Sequence, residues 1–400
     1  MQRFSDNHHF TEKEKLVSNR KRRGKRQELQ KEAAAVLGRA NLACRNKGVG
    51  KLAHARHELL SFLSREIIGQ EEAIGQITRG LIRSLSPLRD KERPLLSSLM
   101  VGPTGVGKSE TARALARVFF GQGDAMVRID CGEYQQGHEI AKILGSPPGY
   151  VGSDITPLLS EGNLSRPYSA LRTALRNGQP WPSGISEEVI SRSGGGAFAI
   201  VLVDEVEKAH PDLWRSLLGA LDYGHLRLGN NKDVDMTQAV ILMTSNTAEL
   251  ALNKGKACPL GFAADEGEEE KNSFLKSEVM RFVSKTFPPE FLNRLDITAF
   301  YKPLSKAELA KIFDKIMGGL HDRLLQSGFP VLVQVTRKAK ELVLRETLER
   351  ERGNGARGLR RMVDQMIGDP LADLIIQGDV FEGSQVNISL KRGEIFLSVS

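Results

Sequence analysis

The segment from Gly102 to Ser109 constrains the fold of this chain more than any other. It fits the pattern GxxxxGK[ST], with an apolar run at Leu99–Val101 before it and a helix-forming stretch at Ser109–Phe120 after it. In such a loop the backbone N–H groups point at phosphate oxygens, and the first turn of the helix adds a partial positive charge. The sequence therefore predicts a strand, a phosphate-binding loop and a helix, as in an α/β nucleotide-binding domain.

The loop also predicts individual roles. We expect Lys108 to reach the β- and γ-phosphates of ATP and Ser109 to bind Mg²⁺. The residues that we expect to bind ATP are Gly102, Pro103, Thr104, Gly105, Val106, Gly107, Lys108 and Ser109.

A second apolar run, Ile200–Val203, ends at Asp204 and Glu205. In a P-loop enzyme, acidic residues at this place bind Mg²⁺ and polarise the attacking water, so we assign Asp204 to the metal and Glu205 to catalysis. The alternative is a strand that simply ends at two solvated acidic residues. Because Glu205 is present, the pattern favours hydrolysis over nucleotide binding alone.

A third apolar run, Val240–Ser245, ends at Asn246. We predict that Asn246 lies between the ends of the other two strands and helps to orient the water. A turn Asn after a strand is the alternative, since Asn is common in turns.

The charge of the chain is concentrated in one segment. Residues 1–60 hold 15 of the 57 Lys and Arg residues but only 6 of the 49 Asp and Glu residues, so the rest of the chain is close to neutral. A basic arm of this kind indicates a tail or an adaptor-binding segment, whereas a nucleic-acid-binding core would be basic throughout.

The class of protein follows from two further features. No apolar run is long enough to span a bilayer, so no membrane partner is expected. Cys44, Cys131 and Cys258 are far apart, which is typical of reduced thiols and predicts a cytoplasmic protein.

Three regions follow one another along the chain. Residues 1–60 predict an arm that is partly disordered and partly helical. Residues 61–301 alternate apolar runs with helical patterns, which predicts a parallel sheet flanked by helices, the α/β fold of a P-loop NTPase. Residues 302–400 predict a small, mainly helical domain that ends in a β-hairpin formed by Val386–Leu390 and Ile395–Val399.

Several motifs occur in the order that is typical of one family. Residues from about 61 to 400 resemble the C-terminal ATPase module of the Clp family of AAA+ unfoldases and disaggregases (ClpA, ClpB and ClpC-like proteins). The segments that carry the resemblance are the adenine-contacting stretch Ile67–Gln70, the pore-loop segment Gly145–Gly152, the Walker B segment Val203–Pro211, the arginine-finger segment Phe287–Asp296 and the sensor 2 segment Gly355–Arg360.

The resemblance implies roles for further residues. Ile67 and Ile68 would contact ATP at the adenine. Arg294 would reach the nucleotide of a neighbouring subunit, with an ion pair to Glu290 or Asp296 as the alternative. Arg357 would contact the nucleotide of its own subunit, with a solvated arginine at the start of a helix as the alternative. Arg294 and Arg357 are therefore added to the catalytic residues. Since the family forms rings, the resemblance also implies a homo-oligomer, expected to be a hexamer.

The pore-loop segment implies the substrate. Its residues Gly149, Tyr150, Val151 and Gly152 would contact polypeptide in the axial channel, where an aromatic ring can pack on any side chain. A core Tyr beside a turn is the alternative, but the prolines and glycines of Gly145–Gly152 argue against a packed core. The chain is thus expected to thread unfolded or tagged polypeptides by ATP hydrolysis.

The chain departs from the family pattern in two places. The interval of about 153–199 is longer than usual, which predicts an insertion with a loop near Asn177–Gly184. Leu260, Gly261 and Phe262 lie where some members dock on a ClpP-type peptidase, although a small local hydrophobic contact is the alternative.

Two other functions compete with the unfoldase hypothesis. A nucleic-acid motor or loader could use the basic arm on phosphates, but Leu144–Ser153 contains no Lys or Arg, so nucleic acid is an unexpected partner. A nucleotide switch that does not pull would not need Glu205 or Arg294.

Overall fold

The computed structural model describes residues 49–150, 153–192, 197–247, 249, 268–351 and 353–400. Most of the predicted basic arm lies outside these residues, as do Val151, Gly152 and the predicted docking residues Leu260–Phe262.

The N-terminal two thirds of the described chain contains most of the helices and one large sheet. In chain order its elements are α1 (Val49–Glu66), α2 (Glu71–Ser84), β1 (Leu96–Val101), α3 (Lys108–Phe120), β2 (Val127–Asp130), α4 (Ile140–Leu144), α5 (Glu161–Arg176), α6 (Gly184–Arg192), β3 (Ala199–Asp204), α7 (Pro211–Tyr223), β4 (His225–Arg227), β5 (Asp233–Asp235), β6 (Ala239–Ser245), α8 (Glu268–Thr286), α9 (Pro289–Leu292) and β7 (Ile297–Phe300).

The large sheet has five parallel strands in the order β2-β3-β6-β1-β7. Every residue of β1, β3 and β6 is buried, because helices flank the sheet and leave these central strands no contact with water. This burial explains why the three strands are continuous apolar or small-residue runs in the sequence. The predicted α/β fold is confirmed.

Helix α1 runs through the predicted boundary at residue 60. Leu59 and Leu63 are fully buried, one helical turn apart, so this part of the helix contributes to the core. Among the residues described, no helix combines the length and the apolarity that crossing a bilayer requires.

The predicted insertion contains α5, α6 and the loop between them. The Ser183 hydroxyl donates to the Val118 carbonyl at 3.0 Å, and the Ser186 hydroxyl donates to the Phe119 carbonyl at 2.8 Å. The start of α6 is thereby fixed to the end of α3. Whether the segment is an insertion relative to the family stays a prediction.

The C-terminal region has its own core. Its elements are α10 (Lys306–Gln326), β8 (Leu332–Val335), α11 (Arg337–Arg350), α12 (Gly355–Val363), a π-helical turn (Asp364–Gly368), α13 (Asp369–Gln377), β9 (Gln385–Lys391) and β10 (Glu394–Val399). Helix α10 begins at a capping box in which Ser305 and Glu308 each accept from the other's backbone N–H.

The predicted hairpin is confirmed, since β9 and β10 pair antiparallel. Arg392 and Gly393 form its two-residue turn with φ angles of 51° and 89°, the left-handed conformation that the strand twist favours. The parallel strand β8 was not predicted; it has only four residues and pairs with β9 about fifty residues later in the chain.

Candidate nucleotide-binding site

The strand order brings the three predicted strand ends together. Strand β6 lies between β3 and β1, so Asn246 follows a strand whose neighbours end at Asp204 and at the P-loop. In parallel sheets, ligands bind at this carboxyl edge. The structure therefore places Asn246 between the other two motifs, as predicted.

Lys108 is the first residue of α3 and only 6% exposed. Its ammonium donates to the carbonyl oxygens of Gly102 and Pro103 and to Asn246 Oδ1, each at 2.7 Å. Burial lowers the pKa of Lys108 to about 8, although nearby carboxylates, Glu207 first among them, act in the opposite direction. A buried ammonium held by neutral oxygens is suited to receive an anion such as phosphate.

Asp204 is held from three sides. Its Oδ1 accepts from Ser109 Oγ at 2.9 Å and from Thr244 Oγ1 at 2.5 Å, and its Oδ2 pairs with Arg128 Nη2 at 2.9 Å. Mg²⁺ prefers oxygen ligands, and the adjacent Ser109 and Asp204 oxygens are of this kind beside the P-loop. These two residues fit the predicted metal site.

Glu205 has a φ of 56°, which is uncommon for a residue other than Gly, Asn or Asp. Its N–H donates to Thr244 Oγ1 at 2.9 Å, and its Oε1 accepts from Asn246 Nδ2 at 3.0 Å. Its Oε2 pairs with Lys208 Nζ at 2.5 Å. This backbone conformation and these partners orient the Glu205 carboxylate towards the end of β6.

Asn246 connects the two halves of the site. Its amide oxygen accepts from Lys108 while its amide nitrogen donates to Glu205, so one side chain contacts both the phosphate-binding and the acidic residues. Its backbone N–H donates to Glu207 Oε1 at 2.8 Å. Burial raises the pKa of Glu207, whose other oxygen is buried without a hydrogen-bond partner among the described residues.

Sequence patterns do not point to Arg128, Thr244 or Glu207 as parts of this site. Arg128 and Thr244 lie on the strands on either side of β3, and each reaches Asp204 across the sheet. Glu207 lies within the Walker B segment. The only sequence feature that could have pointed to it is that it is an acidic residue close after Asp204 and Glu205.

Helix α12 packs against the P-loop. The Ala356 N–H donates to the Gly105 carbonyl at 2.9 Å, and a Cβ on Gly105 would lie 2.1 Å from the carbonyl oxygen of Asn354. Gly105, with a φ of 73°, is therefore required by this close approach as well as by the loop conformation. Arg357 lies in the first turn of α12 and is exposed. The start of its helix contacts the P-loop through the Ala356–Gly105 hydrogen bond.

Ile67 lies beside the other glycine of the loop. A Cβ on Gly107 would be 3.1 Å from Ile67 Cγ2, and Ile67 is buried while Ile68 is partly exposed. The predicted adenine-contacting stretch thus borders the P-loop.

Tyr150 has different surroundings from the residues above. Its side chain is 71% exposed, and the backbone turns around it, with Tyr150 N–H donating to Pro147 O and Ser153 N–H to Tyr150 O. Gly149 has a φ of 88°, which its lack of a side chain permits. An aromatic ring presented in this way leaves most of its surface for contact with another molecule.

Arg294 follows α9 and pairs within its own chain. Its Nε lies 2.6 Å from Asp222 Oδ2, and its Nη2 lies 3.1 Å from Glu290 Oε1. Within the described part of the chain, no hydrogen bond or ion pair joins Arg294 to the P-loop. The structure therefore does not bring Arg294 to the nucleotide site of the same chain.

Two family models match the chain. One, described as an AAA domain of the Cdc48 subfamily, matches residues 93–171 and 184–298, and the other, the C-terminal D2-small domain of ClpB protein, matches residues 304–388. The first match is interrupted across residues 172–183, within the region of the predicted insertion.

Two similar proteins have Clp names. The chain is 34% identical over 329 residues to the chloroplastic chaperone protein ClpD of Arabidopsis thaliana, with 82% of this chain and 31% of the relative covered. It is 35% identical over 326 residues to ClpC of Staphylococcus epidermidis, named as the ATP-binding subunit of an ATP-dependent Clp protease, with 82% and 35% covered. The chain thus spans about a third of the length of these relatives.

A solved structure of Hsp104 with ATPγS and FITC casein is also similar. It has a TM-score of 0.67 and 28% sequence identity, and the similarity covers 88% of this chain and 53% of that chain. The similarity extends over both the sheet domain and the C-terminal region.

Proposed function

We propose that this chain, which belongs to the Clp family of AAA+ ATPases, hydrolyses ATP in order to unfold or remodel polypeptides. The observation that carries the polypeptide part is the exposed Tyr150 ring on a glycine-containing turn. The ATPase part rests on the convergence of Lys108, Glu205 and Asn246 at one edge of the sheet.

The residues of the site divide the chemistry between them. Lys108 and the N–H groups at the start of α3 bind the phosphates. The bound phosphate favours the protonated form of Lys108, which burial disfavours. Glu205 accepts the proton of the attacking water, and Asn246 positions that water between Glu205 and Lys108. Ser109 and Asp204 would hold Mg²⁺, which neutralises charge on the β- and γ-phosphates.

Arg294 completes the site from a neighbouring subunit. Among the described residues it pairs with Asp222 and Glu290 and makes no hydrogen bond or ion pair with the P-loop of its own chain, which suits an arginine finger that stabilises transition-state charge in trans. We therefore propose a homo-oligomeric ring, a hexamer by family analogy. Arg357, on the helix that contacts Gly105, senses the nucleotide of its own chain.

A casein assay tests this function. The solved Hsp104 structure contains casein, so an unstructured casein is a suitable first substrate. We expect casein to stimulate ATP hydrolysis in the parent protein and not in Tyr150→Ala, with similar basal rates. If Tyr150→Ala unfolds a tagged substrate as fast as the parent, threading through this loop is excluded.

A second candidate is delivery of polypeptides to a ClpP-type peptidase, as the name of the ClpC relative suggests. Leu260, Gly261 and Phe262 are its predicted docking residues. Degradation of casein by a peptidase ring that requires this chain, and that Phe262→Ala abolishes, would favour it. The cytoplasmic location also stays a prediction, supported by the isolated cysteines.

A further inference from the structure

Arg294 is bound by two carboxylates of its own chain that differ in exposure. Asp222 is 27% exposed and contacts Nε at 2.6 Å, whereas Glu290 is 64% exposed and contacts Nη2 at 3.1 Å. An exposed pair contributes little to stability, so the half-buried Asp222 is the stronger partner. Asp222 therefore does most to fix the position of the Arg294 guanidinium.

The position of Asp222 in its helix is unfavourable without Arg294. Asp222 is the second-last residue of α7, where the helix dipole disfavours a negative charge, and no basic residue lies in the last turn of α7 to offset it. Arg294 supplies the missing positive charge from a segment about seventy residues later. The pair is therefore a tertiary contact and not a by-product of helix formation.

Arg93 fixes the backbone on both sides of this pair. Its Nε donates to the carbonyl oxygen of Leu221 at 3.1 Å, and its Nη2 donates to that of Arg294 at 2.5 Å. Its Nη1 lies 3.6 Å from Asp296 Oδ1. One guanidinium thus holds the end of α7 and the Arg294 segment at a fixed separation.

Aromatic packing makes the same connection rigid. The Trp214 ring of α7 lies 5.3 Å from Phe287 and 6.4 Å from Phe291, the latter in α9, measured between centroids. Trp214 Nε1 also donates to the carbonyl oxygen of Val206, the residue after Glu205, at 2.9 Å.

The contacts leave one edge of the Arg294 guanidinium available. A guanidinium has five N–H donors, of which Asp222 can accept the one on Nε and Glu290 can accept one of the two on Nη2. The two donors of Nη1 have no partner among the described residues. This edge can donate to a phosphate while the other edge stays bound.

We propose that Asp222 is the positioning residue for Arg294, holding one edge of its guanidinium so that the other meets the nucleotide of the neighbouring subunit. Arg93 supports the arrangement through the backbone. The inference rests on the proposed role of Arg294 in trans. It predicts that Asp222 serves the site of the next subunit and not the site of its own chain.

Mixed rings can separate these two sites. Lys108→Ala removes nucleotide binding from a chain but leaves its Arg294, whereas Arg294→Ala leaves the P-loop but removes the finger. Neither variant alone should hydrolyse ATP efficiently, and mixing them should restore hydrolysis where an Arg294→Ala site meets a Lys108→Ala neighbour. Asp222→Asn is then placed either in the Lys108→Ala chain or in the Arg294→Ala chain.

We expect a loss of restored hydrolysis of about ten- to a hundredfold when Asp222→Asn is in the Lys108→Ala chain, the cost of a misplaced catalytic group. We expect no loss when it is in the Arg294→Ala chain, which has no finger to position. Asp212→Asn is the matched control, since Asp212 lies on the same helix and pairs with the exposed Arg215 at 3.0 Å. Asp222→Glu should recover part of the activity.

The outcomes are distinguishable. No restoration on mixing would overturn the trans role of Arg294, and this inference with it. Restoration followed by equal losses in both placements, or by a gain, would overturn only the positioning role of Asp222. The affinity of Asp222→Asn for a fluorescent ADP analogue and its thermal unfolding, both expected to match the parent, exclude a folding defect as the cause.

Discussion

The nucleotide-binding edge of the sheet and the Tyr150 turn differ in how their functional side chains are held. At the sheet edge, Lys108, Asp204 and Asn246 each make several hydrogen bonds inside the chain. At the turn, the Tyr150 ring is mostly exposed. The fold therefore preorganises the groups that we propose to act on the nucleotide, whereas it leaves accessible the ring that we propose to contact varied polypeptides.

Glu205→Gln should reduce activity more than any other single substitution. The amide keeps the shape of the side chain but cannot accept a proton, so hydrolysis should fall by about 100- to 10,000-fold while nucleotide affinity stays within about threefold. Single-turnover hydrolysis and a binding titration measure the two quantities. Persistent hydrolysis would show that another group acts as the base, with Glu207, which accepts from the backbone N–H of Asn246, as a candidate.

Lys108→Ala should weaken nucleotide binding by about 100-fold or more, because a charge-assisted contact with the phosphates is lost. Equilibrium titration with a fluorescent ATP analogue provides the measurement, and the exposed Lys338→Ala is the control. Unchanged affinity would mean that the buried ammonium has a purely structural role.

Thr244→Val tests whether the sheet edge is preorganised. Thr244 donates to Asp204 and accepts from the backbone of Glu205, so the substitution should lower the free energy of unfolding by about 1–3 kcal/mol. Urea unfolding measures the change. A variant as stable as the parent would show that the hydrogen bonds of Thr244 do not stabilise this edge of the sheet.

Nucleotide affinity should weaken as the pH rises above about 8. Burial lowers the pKa of Lys108 to about 8 in the free protein, and bound phosphate would raise it. The complex then holds more protons than the free protein above pH 8, so affinity falls by up to about tenfold per pH unit. Titrations with ADP between pH 7 and pH 9.5 measure this slope, and a flat profile would refute it.

Tyr150→Ala should change stability very little. Since the ring is exposed, the free energy of unfolding should change by less than about 0.5 kcal/mol. Thermal unfolding of Tyr150→Ala and of Thr244→Val under the same conditions measures the difference in stability between the two regions. A loss as large as that of Thr244→Val would show that Tyr150 packs against its own chain and remove the distinction between the two regions.

The sequence was sufficient wherever the signal is local. The P-loop and the strands that end at Asp204 and Asn246 are each contiguous patterns, because a strand buried on both faces is apolar throughout. The β9–β10 hairpin was predicted from a different local signal, two short alternating runs on either side of the turn-like Lys391-Arg392-Gly393. Strand β8 was not predicted because its four residues are too few to form a clear pattern, and they form a strand only by pairing with β9.

The tertiary structure alone decided which distant residues meet. The chain order does not give the sheet order, yet it is the position of β6 between β3 and β1 that lets Asn246 contact both Lys108 and Glu205. Likewise, Arg128 reaches Asp204 from the neighbouring strand, Asn354 requires a glycine at position 105, and Asp222 holds Arg294. Burial of a residue is reflected in the pattern of apolar residues around it in the sequence. A contact between distant segments depends on how whole elements pack, so no local sequence pattern predicts it.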